Sequence, residues 1–575
     1  MSVITSLTAK CKDCHRCIRA CHVKAISLRN GQARIVPEKC VVCGQCVAAC
    51  PQHAKHVSDC TEKLLAWLNQ GEVVVASLAP SFPAAFPHLD PLQVLAGLQA
   101  IGLSLVEETA LAALPVAKHY SNMRLKSELG LTISSCCPVV VNLIEIYFPE
   151  LVPHLAATVS PMVLHSRSLR QRFPDAKVIF IGPCAGKVDE ALQPFAQDGL
   201  DAVLTFRQLA ALWHKLGVDP KTLTPVELHT ASDNAARLYP LERGIITSSK
   251  LESGVTRSSV SVAGVEDCVE LFTDLSAGRL RPSFVEALGC HGGCVGGSEM
   301  PSPVSVQARK DAVIRYHERI EMLPELTPSP KAELALEGVP MRSFTNRRYV
   351  ANSPPEEEIS RVLMTIGKES SVDERNCGGC GYLTCREKAV ATLQGFAELE
   401  MCIPFMRAKF ESLSHLVVES SPNGVIIVNS DLTIHQFNAE AQRMFNPEAK
   451  QTKDVCLAAF LDPKDFIEVL ATGKSLYLRV EYAALGLVTR QVIYALPAYS
   501  LVVGIITDIT EDERRHRELE AKHQVTIQRA TAVIANQMKL AQQIAGLLGE
   551  STAATKATLF ELISSLTDGN GVTSK

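Results

Sequence analysis

Long hydrophobic runs are missing from this chain. No window of about 18 uninterrupted apolar residues occurs, so no membrane-spanning helix is predicted. Met1 to Lys10 contains no apolar stretch of the kind a secretory leader carries, and a cytoplasmic protein is expected. Charge of one sign is also scarce. Lys plus Arg number 57 and Asp plus Glu 61, a net charge of -4, and the basic residues form no long run. Nucleic acid is therefore not favoured as a partner. What remains is a globular composition, 47% apolar and 21% charged, over 575 residues. That length exceeds one hydrophobic core and predicts roughly three to five units.

Against these absences stand 20 cysteines. A reducing compartment disfavours structural disulfides, so clustered cysteines read as metal ligands or catalytic thiols. All but Cys60, Cys268 and Cys456 fall into three groups, and these three are expected to be buried core thiols. The first group is Cys11, Cys14, Cys17 and Cys21, repeated as Cys40, Cys43, Cys46 and Cys50 before Pro51. Two intervening residues let a tight loop aim successive thiolates at three corners of a cubane. The fourth cysteine is turned towards a second cluster. Cys11, Cys14, Cys17 and Cys50 are expected to hold one 4Fe-4S cluster, and Cys21, Cys40, Cys43 and Cys46 the other. Zinc is the alternative, although its thiolates usually come from two well-separated CxxC pairs. Two adjacent clusters would form a short electron-transfer wire.

The second group is scattered: Ser135-Cys136-Cys137-Pro138, then Gly182-Pro183-Cys184-Ala185-Gly186-Lys187, then Gly289-Cys290-His291-Gly292-Gly293-Cys294. Together they supply five thiols, a lysine and glycines that let backbone approach a bulky ligand. Apolar runs at Val73–Leu78 and Lys177–Gly182 read as buried parallel strands. They alternate with helical stretches at Val139–Tyr147 and Arg207–Leu216, and the Cys184 motif directly follows a strand. Proline-rich stretches at 301–303, 324–330 and 354–355 suggest linkers and a packed irregular tail.

These three motifs, in this order, resemble the catalytic domain of the iron-only hydrogenases. The resemblance implies an active site in which a 4Fe-4S cluster is joined through a cysteine sulfur to a di-iron unit bearing carbon monoxide, cyanide and a bridging dithiolate. By position, Cys137, Cys184, Cys290 and Cys294 would bind that cluster, with Cys294 as the bridge. Cys136 would pass protons, and Lys187 would donate a charge-assisted hydrogen bond to a cyanide. The chain departs from the family at Val139-Val140 after Pro138, at Gly182 and at Leu288, where tryptophan and two methionines are usual. The family's upstream Met-Glu-Glu run, which relays protons, aligns here with Ala117-Lys118-His119-Tyr120, which has no carboxylate. A site assembled but slow to exchange protons is expected.

The third group, Cys377, Cys380, Cys385 and Cys402, resembles a small iron-sulfur domain of anaerobic redox and corrinoid proteins, with zinc again the alternative. Residues 411–510 resemble a PAS domain. The signals are a turn into Val425–Val428, a second strand near Ile434, a short amphipathic helix at Ala439–Phe445, and Gly504–Thr510 leading into a helix. His435 is expected on a solvent-facing strand. After Glu511, Leu519, Thr526, Val533, Leu540 and Leu547 recur every seven residues, a weak heptad with polar layers. No histidine-kinase ATP motif, phosphatase aspartate set or DNA-reading helix follows, so output would act through another chain.

The fold class expected is multidomain α/β and α+β. A ferredoxin-like 2x(4Fe-4S) domain spans 1–60, the hydrogenase catalytic domain 70–350, a small 4Fe-4S domain 365–408, a PAS domain 411–510 and a helical coiled-coil output segment 511–575. The resemblance implies a sensory, low-turnover hydrogenase responding to hydrogen or redox state. Its partners would be a ferredoxin or other electron carrier, a kinase, phosphatase or regulator in trans, and a second copy through the C-terminal helix. A turnover hydrogenase exchanging electrons with ferredoxin and a non-catalytic iron-sulfur switch are the alternatives.

Overall fold

The computed structural model describes residues 2–126, 130–226, 234–249, 259–322, 340–350, 353–446, 448, 450–545 and 552–567. The chain divides into two compact units, Met1–Met406 and Arg407–Lys575. The segments expected as ferredoxin, catalytic and small-cluster domains thus belong to one unit. Their buried residues form a continuous core that includes Ile18, Ile26, Val75, Ile179 and Met401.

The N-terminal segment is two half-copies of one device. Helices Arg16–Arg19 and Gln45–Ala48 are each preceded by a left-handed residue, His15 and Gly44, which turns the cysteine loop into the helix. Strand Ile4–Ser6 pairs antiparallel with Lys55–Val57, and Ile26–Arg29 forms a hairpin with Gln32–Ile35.

Two parallel sheets follow, as the apolar runs predict. Strands Leu105–Glu108, Val74–Leu78, Lys177–Gly182 and Ala202–Thr205 lie side by side in that order. Ser259–Ala263, Phe284–Leu288 and Thr132–Ile133 form the second sheet. Val74–Leu78 is buried along its whole length, the pattern of a strand covered on both faces. Helices Pro138–Tyr147 and Phe206–Leu216 match the helical stretches read from sequence. Of the proline-rich stretches, 324–330 lies outside the described residues. The irregular segment 340–350 is packed: Arg347 Nε bonds Glu145 at 2.9 Å and Arg342 Nη1 bonds Glu190 at 3.3 Å.

In the second unit, five antiparallel strands run in the order Ile434–Phe437, Gly424–Asn429, Leu501–Asp508, Leu487–Leu496, Leu476–Tyr482. Alternate residues of Gly424–Asn429 are buried, the period of a sheet with one face on the core. Asn438 is buried and caps helix Ala439–Phe445 by accepting from Ala441 N at 2.9 Å. Gly504 leaves room for Phe466: a Cβ there would lie 2.5 Å from the ring. Strand Leu501–Asp508 leads into helix Thr510–Ala545, where Leu519, Val533 and Leu540 are more than half exposed. Leu547 lies outside the described residues. No described helix is long and apolar enough to cross a membrane.

Candidate functional site

Every central cysteine motif sits at the C-terminal end of a parallel strand. Cys136 and Cys137 follow Thr132–Ile133, Cys184 follows Lys177–Gly182, and Cys290 follows Phe284–Leu288. Cys137 and Cys184 occupy the positions just before helices Pro138–Tyr147 and Ala185–Ala191. Such strand ends are where parallel α/β folds place their ligands. A cavity of about 90 Å³ opens there, lined by Cys136, Cys137, Cys184, Cys294 and Lys187. Cys290 is buried and in electrostatic contact with Cys184, Cys137 and Cys294. The five thiols and the lysine singled out from sequence therefore converge on one place.

The donor set fits a sulfur-ligated cluster. Burial pushes the Cys136 and Cys184 thiols up to about 12, with neighbouring Cys137 adding to it and Lys187 opposing it. A pocket this dry stabilises several thiolates only around a cationic core. Side chains at Gly186 or Gly289 would lie 3.5 Å from Cys184 Sγ and 3.6 Å from Cys137 Sγ, against Val139. Among the described residues, no three Cys, His, Asp or Glu close on a single-ion site. The departure at Gly182 also has a packing reason. A Cβ at 182 would lie 2.5 Å from the Phe180 ring, which occupies that space and lines the cavity.

Lys187 Nζ donates to Cys136 O at 3.0 Å and to Glu190 Oε2 at 2.6 Å. An ammonium has three N–H donors, so one is left for a ligand in the cavity. Burial alone would lower its pKa, but the Glu190 carboxylate outweighs this and raises it, keeping the charge.

The upstream carboxylates need a correction. Ala117 and Tyr120 lie buried within helix Ala110–Lys126 and are not the strand-end run. That position belongs to Val106-Glu107-Glu108, which closes strand Leu105–Glu108 just before cavity-lining Thr109. A carboxylate is therefore present, but Glu108 is committed. It accepts from Arg237 Nε at 3.0 Å and from Tyr316 Oη at 2.7 Å. Sequence reasoning also missed Tyr239 and Glu286. The buried Tyr120 and Tyr239 hydroxyls adjoin the Cys136 thiol, neither making a hydrogen bond of full geometry. Glu286 accepts from Arg243 N at 2.6 Å and Ile246 N at 2.9 Å, and burial still lifts its pKa to about 7. Its place at the head of the Cys290 motif was the only signal.

The ferredoxin-like cysteines fall into the expected interleaved sets. Cys17 is in electrostatic contact with Cys11, Cys14 and Cys50, and Cys46 with Cys43, Cys21 and Cys40. Backbone N–H groups aim at sulfur: Ala25 N to Cys21 at 3.2 Å, Ala54 N to Cys50 at 3.3 Å. The buried Lys55 influences Cys17, Cys46 and Cys50, so one cation serves both sets. Cys43 in turn neighbours Cys290, which puts the second set beside the central cavity. Cys377, Cys380, Cys385 and Cys402 line a separate small cavity with Lys388. The three stray cysteines differ among themselves. Cys268 is buried, Cys60 is half-buried and donates to Val203 O at 3.0 Å, and Cys456 is exposed. Cys456 corrects the core reading, since it is exposed on an extended residue bridged antiparallel to Thr433, just before Leu457–Ala459. His435 is exposed, as expected.

Residues 72–298 match the family described as the iron-only hydrogenase large subunit, C-terminal domain. Residues 10–54 match a 4Fe-4S dicluster domain and residues 373–404 a putative Fe-S cluster family. The chain is 26% identical over 423 residues to the NADP-reducing hydrogenase subunit HndD of Solidesulfovibrio fructosivorans, covering 59% of this chain and 69% of that protein. It is 25% identical over 391 residues to the periplasmic Fe hydrogenase large subunit of Nitratidesulfovibrio vulgaris, covering 56% and 92%. Superposition on the FeFe-hydrogenase HydA1 of Chlamydomonas reinhardtii gives a TM-score of 0.39 at 19% identity, covering 51% of this chain and 100% of that one. With its cysteine motifs gathered at the strand ends and residues 72–298 matched, this chain carries a domain of the iron-only hydrogenase family.

Proposed function

We propose that this protein is a sensory, low-turnover iron-only hydrogenase. The observation that carries the reading is the convergence of Cys136, Cys137, Cys184, Cys294 and Lys187 on one cavity, with Cys290 in contact with its thiols and with Glu108, next in sequence to cavity-lining Thr109, already tied to Arg237. When bound, a 4Fe-4S cluster joined to a di-iron unit with carbon monoxide, cyanide and a bridging dithiolate supplies reversible hydrogen splitting. Cys137, Cys184, Cys290 and Cys294 would hold it, with Cys294 as the bridging thiolate. Lys187 spends two donors on Cys136 O and Glu190, and its remaining N–H would be available to a cyanide. Cys136, which lines the cavity, would hold and pass a proton at its Sγ. Its buried neighbours are hydroxyls rather than a carboxylate hydrogen-bonded to it, so onward transfer to solvent is slow.

Residues 411–510 act as the PAS receiver. Supporting this are the five-stranded sheet, and the Asn438-capped helix and the strand leading directly into Thr510–Ala545, these last two at the positions read from sequence. The exposed Leu519, Val533, Leu540 and Ile544 suit pairing with a second copy. A trans-acting kinase, phosphatase or regulator reads the result, and a ferredoxin-type carrier exchanges electrons with the N-terminal clusters.

The test is an infrared spectrum and iron analysis of anaerobically maturated protein. Carbon monoxide and cyanide stretching bands with about eighteen iron atoms per chain are expected from four cubanes and one di-iron unit. Absent bands would leave a plain iron-sulfur switch, and turnover matching fast hydrogenases would favour the enzyme alternative.

A further inference from the structure

The 373–404 segment is not docked where its place in the chain suggests. It follows the catalytic segment in sequence, yet its closest ties run to the N-terminal cysteine loops. Arg19, at the end of helix Arg16–Arg19, reaches both sides of the junction. Its Nη2 donates to Cys14 O at 3.0 Å and its Nη1 to Gly379 O at 3.3 Å. Gly381 is left-handed, at φ +95°, and lies flat on the same helix. A Cβ there would sit 2.9 Å from Ile18 Cγ2 and 3.3 Å from the Arg19 backbone N. Further along, Leu28 N donates to Phe396 O at 2.9 Å and Arg29 Nε to Gly395 O at 3.2 Å. Between the cysteine sets stands Tyr382, 5% exposed, in electrostatic contact with Cys380 on one side and Cys21 on the other. Its buried hydroxyl has no hydrogen-bond partner among the described residues.

We propose that Arg19, Gly381 and Tyr382 form a seam that makes the Cys21 set the redox neighbour of the 377–402 site. The Cys21 set also faces the catalytic cavity through Cys43 and Cys290. It is therefore a hub with two contacts: one towards the site where hydrogen would react, one towards the small site that precedes the second unit in sequence. One electron leaving the hub reduces the small site by one and re-oxidises the hub by one. Hydrogen, or dithionite in its place, is the reductant that refills it. The Cys11 set is then a side branch, open to an external carrier, and Cys14 on that set is exposed. Arg19 and Tyr382 are positioning residues here, since neither touches a reacting atom.

The inference rests on cluster ligation by Cys377, Cys380, Cys385 and Cys402, and the experiment separates the two. Holoprotein reduced with dithionite is examined by electron paramagnetic resonance together with iron analysis. The 377–402 signal, identified by its loss in Cys380→Ala, is expected to show spin–spin coupling to the hub. Cys40→Ala should abolish that coupling and Cys11→Ala should leave it. Arg19→Met combined with Tyr382→Leu should weaken it at least several-fold with iron unchanged. A protein short of about four iron atoms from the outset would overturn the ligation reading and the wiring with it. Full iron with an uncoupled 377–402 signal, or coupling that survives Cys40→Ala, would overturn the wiring alone. So would coupling unchanged by the Arg19 and Tyr382 substitutions.

Discussion

Glu108 and Arg237 form a buried ion pair in which Nη2 lies 2.7 Å from Oε2 and each side chain is at most 2% exposed. Breaking such a pair leaves a charge with no solvent to screen it, at about 3–5 kcal/mol. Arg237→Leu should therefore lower stability by about that much, read as a shifted urea midpoint. Glu108→Leu with Arg237→Leu should recover part of the loss, because no charge is then left unpaired, although the Tyr316 hydroxyl loses its acceptor. A double variant no better than the single one would show that Arg237 acts through packing against the Tyr316 ring.

The commitment of Glu108 bears on rate. With Glu108 bound to an arginine and Glu286 held by the backbone N–H groups of Arg243 and Ile246, proton delivery depends on Cys136 and its hydroxyl neighbours. Hydrogen turnover is expected to be about 100-fold or more below that of fast hydrogenases. Cys136→Ala should slow the residual reaction further while iron content stays constant. Unchanged turnover in that variant would remove Cys136 from the proton path.

Glu107 sets a pH dependence of stability. Burial alone would raise its pKa, but bonds from His165 at 3.3 Å and Arg172 at 2.7 Å outweigh this and hold it below the usual carboxylate range. The unfolded chain titrates near 4.3, about the value of a free glutamate. The stability Glu107 contributes is thus fully present above that pH and is lost as pH falls through the depressed folded value. Glu107→Gln should be less stable at pH 6 and should lose less than the parent protein between pH 6 and pH 4, measured by urea midpoints.

Lys388 is a charge looking for a partner. It is 1% exposed, and its Nζ lies 3.4 Å from Leu399 O, a long contact for an ammonium. Burial lowers its pKa, while Cys402 and Cys380 favour its charge. A cation beside a cluster favours the more negative, reduced state. Lys388→Met should lower the reduction potential of the 377–402 cluster by on the order of 100 mV in a potentiometric titration. An unmoved potential would mean that the amine is neutral.

Much of this architecture was legible because the information was local. CxxCxxC spacing, the Pro138 helix start and the Asn438 cap are each decided within a few residues, and so is the apolar run of Val74–Leu78. The committed state of Glu108 was not legible. Its partners Arg237 and Tyr316 lie 129 and 208 residues away, and nothing at Val106-Glu107-Glu108 announces them. The seam at Arg19 and Gly379 joins residues 360 apart, a pairing that only the packed core specifies. Cys456 was misread for the opposite reason: a thiol suits a core, but this one lies exposed at the bridge to Thr433.

Residues 411–575 should carry output without redox chemistry. Cys456 is the only cysteine there, too few for a cluster. Truncation after residue 410 should leave iron content and residual hydrogen activity intact and abolish dimerisation. A few kcal/mol of differential stabilisation is enough to shift a helix pair with polar layers between packings. In the full chain, hydrogen should change amide-exchange protection over 511–545. Protection indifferent to both hydrogen and redox state would leave the sensory reading without an output arm.

The Phe180 ring over Gly182 has a consequence for how this site could be altered, in nature or in the laboratory. The two positions are alternative tenants of one volume: any side chain placed at 182 collides with the ring unless residue 180 has first been made smaller. Their substitutions are therefore non-additive, and their order matters. A route back to a methionine-lined cavity must pass through an intermediate with an emptied pocket beside Pro183 and Cys184. Such an intermediate carries the penalty of a cavity before it gains anything from the new side chain.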